Sequence, residues 1–212
     1  MRTLIAIPCM DMVHAVFMRS VCQLNKVGET DVEILSGSLI YDARNELLQK
    51  AIDGEYDRVL WLDSDMQFEP ALLQRLSDDL DDGRDFVSGL YFKRKQPITP
   101  TIYKDCSVFN IGGQLSPVAT PYWDYPAEKC FQIEACGFGS VLMSMDGIKR
   151  TVDKFGLFPF MPVAGFGEDL SFCMRWKEAG GELWCDSSVR LGHVGMHNYT
   201  EADYLKAREE FL

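Results

Sequence analysis

Val59-Leu60-Trp61-Leu62-Asp63-Ser64-Asp65-Met66 joins four consecutive apolar residues to two acids separated by one serine. An apolar run without alternation reads as a strand buried on both faces, as in a parallel sheet. In an open α/β sheet the loops at the carboxyl ends of central strands diverge into a crevice, so side chains there meet a ligand instead of the core. Two carboxylates in such a crevice repel each other unless something positive lies between them, and a hard divalent cation carrying phosphate oxygens satisfies both. The alternative is structural, an Asp-rich turn that caps the helix opened by Pro70.

Upstream, residues 3–7 (Thr-Leu-Ile-Ala-Ile) form a first strand that Pro8 is expected to end. Residues 14–24 carry Val16, Phe17, Val21 and Leu24 at helical spacing, with Gly28 as a stop. A second strand at 32–35 is followed by a helix over 42–53, capped by Asp42, with Leu47, Leu48, Ala51 and Ile52 inward. With 59–62 as the third strand, the alternation predicts a parallel sheet with right-handed crossovers.

Downstream, a helix over 70–80 leads to a fourth strand at 86–92. Lys93-Arg94-Lys95 follows as the one basic cluster, either a surface turn or a phosphate contact. Five prolines among scattered aromatics between 96 and 129 predict irregular strands and a long loop. In the strand-like stretch 133–143, Gly137 and Gly139 imply a bulge or the close approach of a ligand to backbone. Helices are predicted over 146–155, from Glu168-Asp169 to 179, and over 201–212 at the surface; a strand at 182–185 and an extended piece at 189–195 lie between.

A chain of 212 residues is expected to form one domain, and 47% hydrophobic with 12% aromatic residues argues against disorder. No apolar stretch approaches membrane-spanning length and the start lacks a signal-peptide pattern, so a cytoplasmic protein is expected. Seven cysteines without a Cys-x-x-Cys pair point to reduced thiols. A net charge of −11 disfavours duplex DNA and membrane surfaces as partners.

The acid pair after a central strand, Glu168-Asp169 behind a glycine-rich loop, and the glycine-flanked His193 occur in an order that resembles GT-A nucleotide-sugar-dependent glycosyltransferases. The likeness is to the large inverting, family-2-like group and to small forms carried by bacteria and their phages. It spans about the whole chain and is sharpest in "LWLDSDM", "GFGEDLSFCMRWKEAGGELW" and "LGHVG". It implies a GT-A-like three-layer α/β sandwich with a mostly parallel central sheet. One domain, 1–212, would comprise a Rossmann-like nucleotide-sugar-binding half (1–95), an acceptor and metal half (96–200) and a C-terminal helix (201–212).

The resemblance implies transfer of a sugar from a nucleoside diphosphate-sugar, a UDP-sugar first, to an acceptor hydroxyl with inversion, in the cytoplasm (the host's, if phage-encoded). Asp65 would bind Mn²⁺ or Mg²⁺ directly, Asp63 would reach the ribose or a metal-bound water, and His193 would complete the metal shell; His197 and His14 are weaker candidates. Asp169 would deprotonate the acceptor, with Glu168 holding an acceptor hydroxyl or serving as base itself; both acids otherwise complement the helix dipole. Pro8, Cys9 and Asp11 would border the nucleotide base, Arg44 and Asn45 would face the nucleotide, and Gly137 and Gly139 would bring backbone near donor sugar or acceptor. Arg44 is otherwise a surface salt bridge to Asp42 or Glu46. Trp123 or Trp184 is a sugar-stacking candidate, although aromatics at strand spacing are more often core and Trp184 reads as structural. The acceptor (glycan, small molecule, protein or modified base) and the oligomeric state stay open. The rivals are a sugar-1-phosphate nucleotidyltransferase, although the loop after the first strand is neither glycine-rich nor basic, and a catalytically silent nucleotide-sugar-binding module.

Overall fold

The computed structural model describes residues 1–195 and 198–211. The chain opens with β1 (Arg2–Cys9), α1 (Ala15–Gln23), β2 (Glu29–Ser36), α2 (Ile40–Asp53) and β3 (Arg58–Leu62). This is the predicted alternation, with β1 parallel to both β2 and β3. Then come β4 (Met66–Gln67), α3 (Leu72–Asp81), β5 (Phe86–Leu90), β6 (Ile102–Ile111), β7 (Gln114–Pro121), β8 (Cys130–Ile133), β9 (Ala135–Cys136) and β10 (Ser140–Ser144). The last part is α4 (Met145–Phe155), α5 (Glu168–Glu178), β11 (Leu183–Arg190), β12 (Gly192–Val194), β13 (Asn198–Tyr199) and α6 (Glu201–Phe211).

Seven strands form the central sheet in the order β2-β1-β3-β10-β5-β11-β8. Only β10 and β8 run against the others, so the fold is mixed α/β with a mostly parallel sheet. Alternate residues of β3 divide the core. Val59 and Trp61 join Leu47, Leu48, Ile148, Phe172 and Trp176 from α2, α4 and α5 on one face. Leu60 and Leu62 join Phe17, Leu72, Leu73 and Leu76 from α1 and α3 on the other. Helices therefore shield both faces, which is what an unbroken apolar strand requires.

Three expectations change. β1 continues through Pro8 and Cys9 against β2. β3 pairs with β1 only as far as Ala6, so Pro8 lies where the strand has one neighbour and a missing N–H is tolerated. The stretch read as a loose loop contains a regular hairpin, β6 and β7, whose register closes on Ile111↔Gln114 around Gly112-Gly113. Both glycines have positive φ, 61° and 89°, which a two-residue hairpin turn of the primed type needs. Asp42 lies in the first turn of α2 but does not cap it; Leu39 is the cap residue, with no side-chain bond. No helix is long and apolar enough to cross a membrane among the described residues.

Candidate functional site

The strand order β2-β1-β3 reverses direction between β1 and β3, and crevices open beyond the carboxyl ends of strands at such a switch point. A cleft of ≈ 400 Å³ lies there. Pro8 and Cys9 line it from β1, Arg44 from α2, Asp63 and Asp65 from the turn after β3, Glu168 and Asp169 from the start of α5, and His193 from β12.

Asp65 and His193 meet because the chain builds a small second sheet under them. β4, immediately after the acid turn, pairs antiparallel with β12 in the register His193↔Met66, and the Val194 N–H donates to the Asp65 carbonyl at 2.7 Å. His193 Nε2 then stands 3.5 Å from Asp65 Oδ2, while Nδ1 lies 2.8 Å from the Phe92 carbonyl. A carbonyl accepts only, so Nδ1 carries the proton and Nε2 faces the Asp65 carboxylate, to which it donates when the ring is protonated and beside which it offers a lone pair when it is not. That juxtaposition suits an intervening cation, and a ring held by a backbone carbonyl is a common arrangement for a metal ligand. Asp65 Oδ1 is buried and has no hydrogen-bond partner, which also fits a cation-binding role. Oδ2 is engaged by Arg94 Nη1 at 2.8 Å. Burial alone would raise the Asp65 carboxyl, but His193 and Arg94 outweigh it and hold the group below its ordinary range. Among the described residues no three His, Cys, Asp or Glu side chains gather as a ready-made cluster. A cation here would take two protein ligands and complete its shell with water and substrate phosphate oxygens, the usual habit of Mg²⁺.

Arg44 occupies the centre of the cleft floor. It is 1% exposed and ringed by Trp61, Phe138 and Phe160, whose centroids lie 5.6, 5.2 and 5.9 Å from its guanidinium carbon. Nη2 donates to Asp63 Oδ1 at 2.8 Å and Nε to Glu168 Oε1 at 3.3 Å. Burial works against the charge, but Asp63 and Glu168 more than compensate and the guanidinium is held protonated. Burial raises Asp63 above its usual range in spite of this partner. Asp63 therefore gives one oxygen to Arg44, and Arg44 is an internal counter-ion rather than a surface pair with Asp42 or Glu46.

The two acids of α5 differ. Glu168 is paired with Arg44, whereas among the described residues Asp169 has only the Leu170 N–H, which donates to Oδ1 at 2.7 Å. Burial and the neighbouring Glu168 charge push Asp169 up to about 6. A carboxyl tuned toward neutrality in a cleft is poised for proton transfer.

Three of the predicted residues do not line the cleft. Asp11 is exposed outside the residues that line the cleft. Asn45 is 4% exposed and does not line the cleft; its Oδ1 accepts from the Phe160 N–H at 3.1 Å and pins the loop before α5. Gly139 serves Tyr91: its N–H donates to the Tyr91 Oη at 3.0 Å, and a Cβ there would meet the Tyr91 ring at 2.7 Å. Gly137 does line the cleft, and a Cβ on it would collide with the same hydroxyl. The close approach signalled by these glycines is thus, first, that of an aromatic side chain. Trp123 stacks on Tyr204 and Trp184 lies under Arg84, and neither lines the cleft. The His14 side chain is exposed beside the acid turn, and His197 falls outside the described residues.

Sequence reasoning missed Tyr91, Thr101 and Tyr103, which also line the cleft. Tyr91 directly follows β5, a strand parallel to β3, so its place at a strand's carboxyl end was a usable signal. Lys93 and Arg94 line the cleft too, which places part of the basic cluster at the site.

No family model matches the sequence, and no curated protein matches it. Among solved structures the chain is similar to A197 from STIV, with a TM-score of 0.67 over 92% of this chain and 86% of that one. At 19% identity the likeness concerns the fold, an α/β architecture shared across nearly the full length of both chains.

Proposed function

We propose that this chain is a GT-A-type glycosyltransferase that moves a sugar from a nucleoside diphosphate-sugar, a UDP-sugar first, to an acceptor hydroxyl with inversion. The observation that carries the proposal is the meeting of Asp65 and His193, 3.5 Å apart, in the same cleft as the perturbed carboxyl of Asp169. Asp65 and His193 are the residues that would hold Mn²⁺ or Mg²⁺. When bound, the cation supplies Lewis acidity that neutralises charge on the departing diphosphate.

The protein's own groups do the rest. Pro8 and Cys9 flank the nucleotide. Arg44 fixes Asp63 toward the donor and Glu168 toward the acceptor, so one rigid guanidinium sets the spacing of both. Asp169 Oδ2, the oxygen not held by Leu170, takes the proton of the attacking hydroxyl. With a pKa of about 6 it is a stronger base than an ordinary carboxylate and still mostly ionised at neutral pH. The same feature favours an enzyme over a silent binding module, since helix capping alone requires no such tuning.

Calorimetry against a panel of nucleotide-sugars, with and without Mn²⁺, identifies the donor. Asp65→Ala is expected to abolish metal-dependent donor affinity. Metal-dependent release of nucleoside diphosphate should disappear in Asp169→Asn while donor binding persists; equal release by wild type and variant would remove Asp169 from the mechanism.

A further inference from the structure

Beyond His193 the cleft borders a second chamber of ≈ 620 Å³ that is wide open to solvent, lined by Lys93, Arg94, Lys95, His193, Gly195 and Tyr199. No carboxylate lines it among the described residues, in a chain whose net charge is −11. Arg94 is occupied by Asp65. Among the described residues neither Lys93 nor Lys95 has a carboxylate within 4.0 Å of its ammonium. Lys93 is half-buried, with its ammonium 5.3 Å from the Tyr103 ring centre. Burial and the adjacent Lys95 charge both act against its protonation, and Asp169 partly restores it. A partly desolvated cation without an acid partner, beside another cation, is costly to the fold and is satisfied by an anion from outside.

We propose that this chamber seats a phosphate group carried by the acceptor, so that the acceptor is a phosphorylated molecule whose free hydroxyl is presented to Asp169. This rests on the sugar-transfer reading of the cleft. Two free ammonium groups match the dianion of a phosphate monoester, and the position of Lys93 near Tyr103 and Asp169 puts the anion on the side of the base. The donor diphosphate is the other source of such a group, and it belongs with Asp65 and His193.

The test is an NMR titration of the full chain with inorganic phosphate, run with and without Mg²⁺ on wild type, Lys93→Gln, Lys95→Gln and Asp65→Ala, with Lys149→Gln as a control. The expected result is saturable binding that shifts the Lys95 and Gly195 amides and is independent of Mg²⁺. It should be retained or tightened in Asp65→Ala, which releases Arg94 into the chamber, unchanged in the control, and weakened about tenfold by each of the Lys93 and Lys95 substitutions. Binding that needs Mg²⁺ and is lost in Asp65→Ala assigns the phosphate to the donor and overturns the proposal. Absence of saturable binding, or equal affinity in all variants, overturns it as well. Failure of the sugar-transfer reading registers separately, as loss of metal-dependent nucleotide binding while lysine-dependent phosphate binding remains.

Discussion

Asp169 links chemistry to stability. Its carboxyl titrates near 3.8 when exposed and about 6 in the fold, so the native state holds the proton more tightly than the unfolded chain does. The stabilisation is complete below the unfolded value and disappears as pH rises through about 6. Asp169→Asn should therefore gain about 1–3 kcal/mol at pH 8 and little at pH 4, measured by urea unfolding; the range allows for partial exposure of the side chain. The wild-type transfer rate should rise through the same pH interval, and Asp169→Asn should lower it by about 10²–10⁴. Arg44 behaves in the opposite way. Arg44→Met leaves Asp63 and Glu168 without their shared cation and should cost about 3–5 kcal/mol in chemical denaturation. Arg94 competes with a cation for Asp65, so Arg94→Gln should tighten binding of Mn²⁺ alone several-fold by calorimetry. The pairing of Arg44 was not visible locally: it is separated from its two acids by 19 and 124 residues, and its nearer acids, Asp42 and Glu46, are the natural partners to suspect.

At the scale of elements, the first half of the chain was legible because burial and periodicity agree there. β3, α1 and α2 lie within a few residues of their predicted limits, as do α4 and α5 in the second half. The hairpin of β6 and β7 was obscured by prolines at 117 and 121, yet Gly112-Gly113 was the turn signal to read. The helix at 201–212 was read as a surface element, but Tyr204 is 0% exposed and stacks on Phe92 at 4.6 Å. Phe92 also provides the carbonyl that orients His193. Tyr204→Ala should thus lose about 3–5 kcal/mol of stability and also weaken metal binding, although residue 204 does not line the cleft. A stability loss with unchanged metal affinity would separate α6 from the site. Gly137→Ala is a sharper probe of the cleft wall, because the added methyl must displace Tyr91; a cost of about 1–3 kcal/mol in thermal unfolding is expected.

On the scale of the molecule, the site draws on β1, α2, the β3 turn, α5 and β12, which come from both halves of the sequence. The order of the acidic and histidine motifs was readable, and nine of the predicted site residues line one cleft: Pro8, Cys9, Arg44, Asp63, Asp65, Gly137, Glu168, Asp169 and His193. What the order could not convey was orientation, as Asn45 beside Arg44 illustrates, since one residue's step around a helix turns a side chain from crevice to core. The pairing of residues 66–67 with 192–193 has a consequence for synthesis. A nascent chain on the ribosome exposes Asp65 long before its imidazole partner has been made, and the two groups come into register only once the strand that carries His193 has emerged. A translation product that stops anywhere between them would display the carboxylate without the ring and could not assemble the pair.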